Sequence, residues 1–168
     1  MITPSYCQLM ARYNAWQNTA TITVASSLTD EDRRRDRGAF FGSIHATLNH
    51  LLWGDKIWMH RFAGTPQPAQ KSIADSLREP EKWDAYRAER KETDAAILSW
   101  AEGIGDQDLS GDLTWHSGAV GREVSRPLPV LIVGFFNHQT HHRGQIHGML
   151  TAAGATTEDT DLFVMPEA

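Results

Sequence analysis

A chain of 168 residues is long enough for one domain, expected to span 1–168, that removes roughly 70% of its unfolded surface from water. A formal charge of −5, with no uncompensated cluster of Lys and Arg, argues against nucleic-acid binding. The single cysteine, Cys7, excludes an intramolecular disulfide, and no stretch approaches the roughly 20 apolar residues of a membrane span; with no leader-like opening, a cytoplasmic protein is expected.

Tyr6, Leu9, Tyr13, Trp16 and Ala20 recur at helical spacing and predict a first helix over Ile2 to Leu28, with Pro4 tolerated in its first turn. The run from Asp30 to Arg37 mixes four arginines with four acids and reads as a solvated linker. A second helix is expected from about Ser43 to His60 or Phe62, with Phe41, Ile44, Leu48, Leu51, Leu52, Ile57 and Phe62 supplying its apolar side, ended by Gly64, Thr65, Pro66 and Pro68. Pro80 suits a first helical turn, and Trp83, Tyr86, Thr93, Ile97 and Ala101 mark a third helix that stops near Gly103 to Gly105. Between Leu113 and Leu128, Thr114, Trp115, Val120 and Val124 are strand formers broken by Ser117-Gly118, the signature of a short hairpin. Pro127 and Pro129 then open a fourth helix, Leu128 to Ala153, closed by Gly154. The fold expected is all-α: a four-helix bundle with a short β-hairpin insertion before the last helix.

The segment Asn137-His138-Gln139-Thr140-His141-His142-Arg143-Gly144-Gln145 carries the chemistry. Residues four apart on a helix lie about 40° apart around its axis, so His138 and His142 project from one face, one turn apart. They interrupt an otherwise apolar stripe, Leu131, Phe135, Ile146, Met149 and Ala153, and are therefore expected to face the core. Each buried imidazole left without a partner costs about 1–3 kcal/mol. A shared divalent cation meets that need; hydrogen bonds to neighbouring helices are the plainer alternative.

Bundles build metal sites from facing helices, so a third ligand is sought on another helix. His50 stands midway along the second helix beside Ala46, Thr47, Trp53 and Gly54. His45 lies about 140° around the axis from it, and His60 sits near the exposed end. His141 is the alternative to His142, although it lies about 100° off the stripe; His147 and His116 read as structural or solvent-facing. The residues thus offer His50 with His138 and either His142 or His141 as candidate ligands.

Those residues, with His50-Leu51-Leu52-Trp53-Gly54-Asp55 on the second helix and the closing Asp161-Leu162, make the chain one that resembles the DinB/YfiT-like superfamily of metal-binding four-helix bundles over nearly its full length. The resemblance implies one divalent ion held by the second-helix histidine and the HxxxH pair, here His50, His138 and His142. It also implies thiol-dependent transferase or isomerase chemistry on a small molecule, with a low-molecular-weight thiol as a partner, and a homodimer.

Three neutral imidazoles leave an ion with open positions, at which it can lower the pKa of water, polarise a carbonyl or hold a thiolate. Imidazole suits zinc, nickel, iron and copper, so ligand type alone does not choose the metal; zinc or nickel is expected first and iron next. Metal-assisted thiol transfer is the leading reading, hydrolysis its enzymatic rival, and a structural or sensing metal bundle the non-catalytic one. Hydrolysis prefers a carboxylate base, and Asp55 points about 140° away from His50; no catalytic residue is assigned. Arg90 and Thr93 interrupt the third helix's apolar stripe and either line the pocket or, for Arg90, snorkel at the surface. Trp53 is expected to border the cavity, and Cys7 to be a packing residue.

Overall fold

Each of the first four helices begins where a hydroxyl side chain captures a free backbone N–H. Thr3 caps α1 (Pro4–Ser26), Thr29 caps α2 (Asp30–Arg34), Ser43 caps α3 (Ile44–Ala63) and Ser72 caps α4 (Ile73–Ser76), each accepting from the amide three residues on. The computed structural model describes residues 1–118 and 120–167; the expected hairpin includes Ala119, which lies outside them. Gly64 closes α3 with φ of 66°, a left-handed turn that a side chain would strain. The long helix α5 covers Trp83–Gly103, and α6 covers Leu128–Ala152 with Pro127 and Pro129 at its start.

Strands β1 (Asp112–Ser117) and β2 (Arg122–Pro127) form an antiparallel hairpin before α6, in register from Asp112 opposite Pro127 to Ser117 opposite Arg122. Trp115, paired with Val124, meets Trp58 edge-on at 5.6 Å and seats the hairpin against the end of α3. The four long helices pack in a ring: α1 touches α5 and α6, and α3 touches the same two. This is the four-helix bundle with a hairpin insertion that the apolar periodicity predicts.

Three local expectations are corrected. The charged run is not a free linker: α2 occupies it, and Arg33 is buried, donating to the carbonyls of Ala25 and Leu28 and lying 4.6 Å over the Trp83 ring. It closes the end of α1, whose last carbonyls lack helical partners. Pro80 precedes α5 rather than starting it, and its carbonyl bonds the ring of His45 and the amide of Asn49. Val120 lies in the turn of the hairpin, exposed, rather than in a strand.

The apolar core is in two parts. One gathers Cys7, Ala11, Met59, Ile97, Ile132, Phe135 and Phe136; the other gathers Ala25, Leu48, Leu51, Leu52, Tyr86, Ile146 and Leu150. Polar residues occupy intermediate positions along the helices. Arg90, 1% exposed, pairs with Asp55 at 2.6 Å and Asp94 at 2.9 Å. Gln139 donates to the other oxygen of Asp55, and Asn14 and Asn18 donate to Asp94. These bonds meet much of what burial of the pair demands, although Nε of Arg90 and Oε1 of Gln139 are buried without a partner. Arg90 therefore neither snorkels at the surface nor faces a substrate pocket.

Candidate metal centre

Helix α3 presents His50 and helix α6 presents His138 and His142. The two helices approach closely because position 54 carries no side chain: a Cβ built on Gly54 would stand 3.0 Å from Cε1 of His138. Ring centroids lie 5.4 Å apart for His50 and His138, 4.9 Å for His50 and His142, and 4.5 Å for His138 and His142. Each residue offers one ligand atom, and the three lie within 4.8 Å of one another. The group could hold a metal ion.

The chemistry of the donors agrees. Burial, with His142 and His138 close by, lowers the pKa of His50 from 6.5 to about 3. Burial lowers His142 to about 4, against a hydrogen bond to Gln145 that raises it, and burial lowers His138 as well. All three are thus uncharged at neutral pH, the form in which imidazole binds a metal.

Two of the rings are oriented from behind. Nδ1 of His142 lies 2.9 Å from Oε1 of Gln145, an acceptor, which requires the ring to donate from Nδ1 and leaves Nε2 with its lone pair. Nδ1 of His50 lies 3.4 Å from Oγ of Ser76, whose hydroxyl donates onward to the carbonyl of Ile73. Second partners of this kind fix ring orientation at metal sites. His138 has no such partner, and its buried Nδ1 meets no hydrogen-bonding atom. That orphaned nitrogen is what a missing ligand would leave, since buried polar atoms are normally satisfied.

Aromatic rings enclose one side. Phe41 lies 4.3 Å from His50 and 5.6 Å from His142, and Trp53, as expected, borders the site, 5.8 Å from His50, with its indole N–H donated to the carbonyl of Gln70. Asp55 is fully buried and committed to Arg90 and Gln139, so it is unavailable as a base.

The remaining histidines fall away from this point. His45 is buried against the carbonyl of Pro80, and exposed His60 bonds the carbonyl of Thr65. His141 is exposed at the flank, 4.8 Å from the ring of His142, and His147 bonds Thr157 on the far side of α6. His116 is exposed on β1, and Cys7 is fully buried in the core. One expectation shifts: the buried face of α6 runs through Ile132, Phe135, Gln139, His142, Arg143 and Ile146. His138 is accordingly half-buried at the rim of the site rather than in the core. Ser76, Gln145 and Phe41 were not anticipated at the site. Gln145 stands three residues from His142, a spacing that brings side chains together on a helix, whereas nothing in the sequence ties Ser76 or Phe41 to His50.

Comparison with known proteins bears on the fold and the family. Protein DinB of Bacillus subtilis (strain 168) is 28% identical over 158 residues, covering 89% of this chain and 87% of that protein. The crystal structure of a DinB-like protein from Bacillus cereus ATCC 10987 superposes with a TM-score of 0.59 at 18% identity, covering 86% of this chain and 90% of that one, a likeness of fold. The model of the DinB family matches residues 1–168, and the chain belongs to that family.

Proposed function

We infer that this chain is a divalent-metal-dependent enzyme of thiol-transferase type acting on a small molecule, with His50, His138 and His142 as the metal ligands. The observation that carries this reading is the convergence of three uncharged imidazoles with no fourth protein ligand in the group, among the described residues. Structural sites are closed by four protein ligands, whereas catalytic sites keep a position open. When bound, a zinc or nickel ion supplies Lewis acidity to a substrate atom.

The chain's own part is to hold the ligands and shape the approach. Ser76 and Gln145 fix two rings, and Phe41 and Trp53 keep water from one side of His50. Asp55, committed to Arg90 and Gln139, is not available as a base for water. A thiol, with an ordinary pKa of about 8.5, needs less help to ionise, which favours thiol transfer over hydrolysis.

Elemental mass spectrometry on tag-free protein tests the site. About one ion per chain is expected in the native protein, lost in His50→Ala, His138→Ala and His142→Ala and kept in His141→Ala. Metal-loaded protein is then assayed for consumption of glutathione or L-cysteine in the presence of small electrophiles. Metal bound without thiol chemistry would set the transferase aside in favour of a hydrolase or a non-catalytic metal bundle; no metal at all would remove the site. The same reading takes a homodimer in solution, and light scattering that returned a single chain mass would reject it.

A further inference from the structure

On the α1 side of α6, away from the three histidines, lies a cavity of about 250 Å³ whose lining includes Tyr13, Gln17, Thr21, Arg143, Gly144 and His147. The C-terminal segment roofs it: the carbonyl of Thr160 accepts from the Tyr13 hydroxyl at 2.7 Å and that of Asp159 from Gln17 at 3.0 Å. No carboxylate side chain is in the lining. Arg143 is 7% exposed, and its guanidinium carries a charge at neutral pH.

The partners of that guanidinium are unusual for a buried cation. Among the described residues it forms no ion pair; both carboxylates of the neighbouring network, Asp55 and Asp94, are held by Arg90. Nη1 of Arg143 donates to Oδ1 of Asn14, and the group lies 5.6 Å over the Tyr13 ring. Among the described residues, Nε and Nη2 make no protein hydrogen bond, and neither is sealed in as the Nε of Arg90 is. These two nitrogens form the side-on edge of the guanidinium, the fork that matches two oxygens of one carboxylate or phosphate.

We propose that this cavity is a binding site for a small oxyanion, a carboxylate or phosphate group, gripped by the Nε–Nη2 edge of Arg143 with His147 and Thr21 beside it. The site is separate from the histidine triad and does not depend on what the triad binds. Because Asp159 and Thr160 roof the cavity through their bonds to α1, occupancy also ties that part of the C-terminal segment down.

Calorimetric titration of the full-length protein at low ionic strength, with inorganic phosphate in one arm and acetate or succinate in another, tests the site. Saturable binding of one anion per chain is expected, and the arm that binds tighter names the source. Arg143→Lys should weaken binding by about tenfold or more, because an ammonium cannot present the fork. Gly144→Leu is the second variant: a Cβ there meets nothing within 4 Å, so the helix is kept while the side chain fills the cavity, and binding should be lost with an undiminished melting temperature. Binding should persist in His50→Ala, which separates it from anion capture at a metal. Absence of saturable binding in the native chain, undiminished binding in Gly144→Leu, or loss in His50→Ala would each overturn the proposal.

Discussion

At the scale of single residues, Gly54 and the two orienting partners decide whether the triad is usable. Gly54→Ala inserts a methyl 3.0 Å from His138, whose ring must turn away. Helix propensity favours alanine by about 1 kcal/mol, so stability should be kept or raised while metal affinity falls roughly 10- to 100-fold, a split visible by metal titration beside thermal melting. Protonation gives a second test. Folded His50 and His142 titrate at about 3 and about 4, against 6.5 in an unfolded chain. Between these values the unfolded state binds more protons, so this contribution is intact above pH 6.5 and is lost as pH falls through that window. Chelator-treated protein should therefore lose melting temperature steadily from pH 7 to 5, and His50→Ala should flatten the slope. At Cys7, burial raises the thiol to about 11 and leaves it no accessible surface. Ellman's reagent should fail to react with the native protein at pH 8 and react fully in denaturant.

Among elements, the buried ion network ties α3, α5 and α6 together at positions 55, 90 and 139, and two of these helices, α3 and α6, also carry the histidines. Arg90→Leu would leave Asp55 and Asp94 buried without their cation and should cost about 3–5 kcal/mol in urea unfolding, whereas replacing Arg90 and Asp55 together by apolar residues should recover part of the loss. This network was poorly legible beforehand. Arg90 stands where the third helix's apolar stripe is interrupted, which flags an anomaly, but a guanidinium on a helix more commonly snorkels outward. Its burial depends on two carboxylates, one four residues away and one on a different helix. The charged run before α3 misled for a related reason: its composition suits solvent, yet the carbonyls at the end of α1 and the ring of Trp83 accept Arg33.

For the whole molecule, two apolar clusters pack the helices independently of any ion. Removing the metal should then lower the melting temperature by about 10 °C or less and leave the far-ultraviolet dichroism unchanged, while abolishing metal-dependent activity. Cooperative unfolding on chelation would instead mark the ion as structural. No helix among the described residues is long and apolar enough to cross a membrane.

The bundle, its hairpin and the pairing of His138 with His142 follow from local information: apolar spacing sets which face of each helix is buried, proline, serine and glycine set the ends, and two histidines four apart must share a face. The exact rotation of α6 does not follow. Both the expected stripe and the buried face observed satisfy helical periodicity, and packing against the polar residues of α1, α3 and α5 selects the one with Gln139 and Arg143 inside and His138 at the rim. Likewise, Ser76 behind His50 and Phe41 against it come from segments 26 and 9 residues away in sequence. Such contacts are settled only when the chain closes, because no periodicity links a loop to the helix on which it comes to rest.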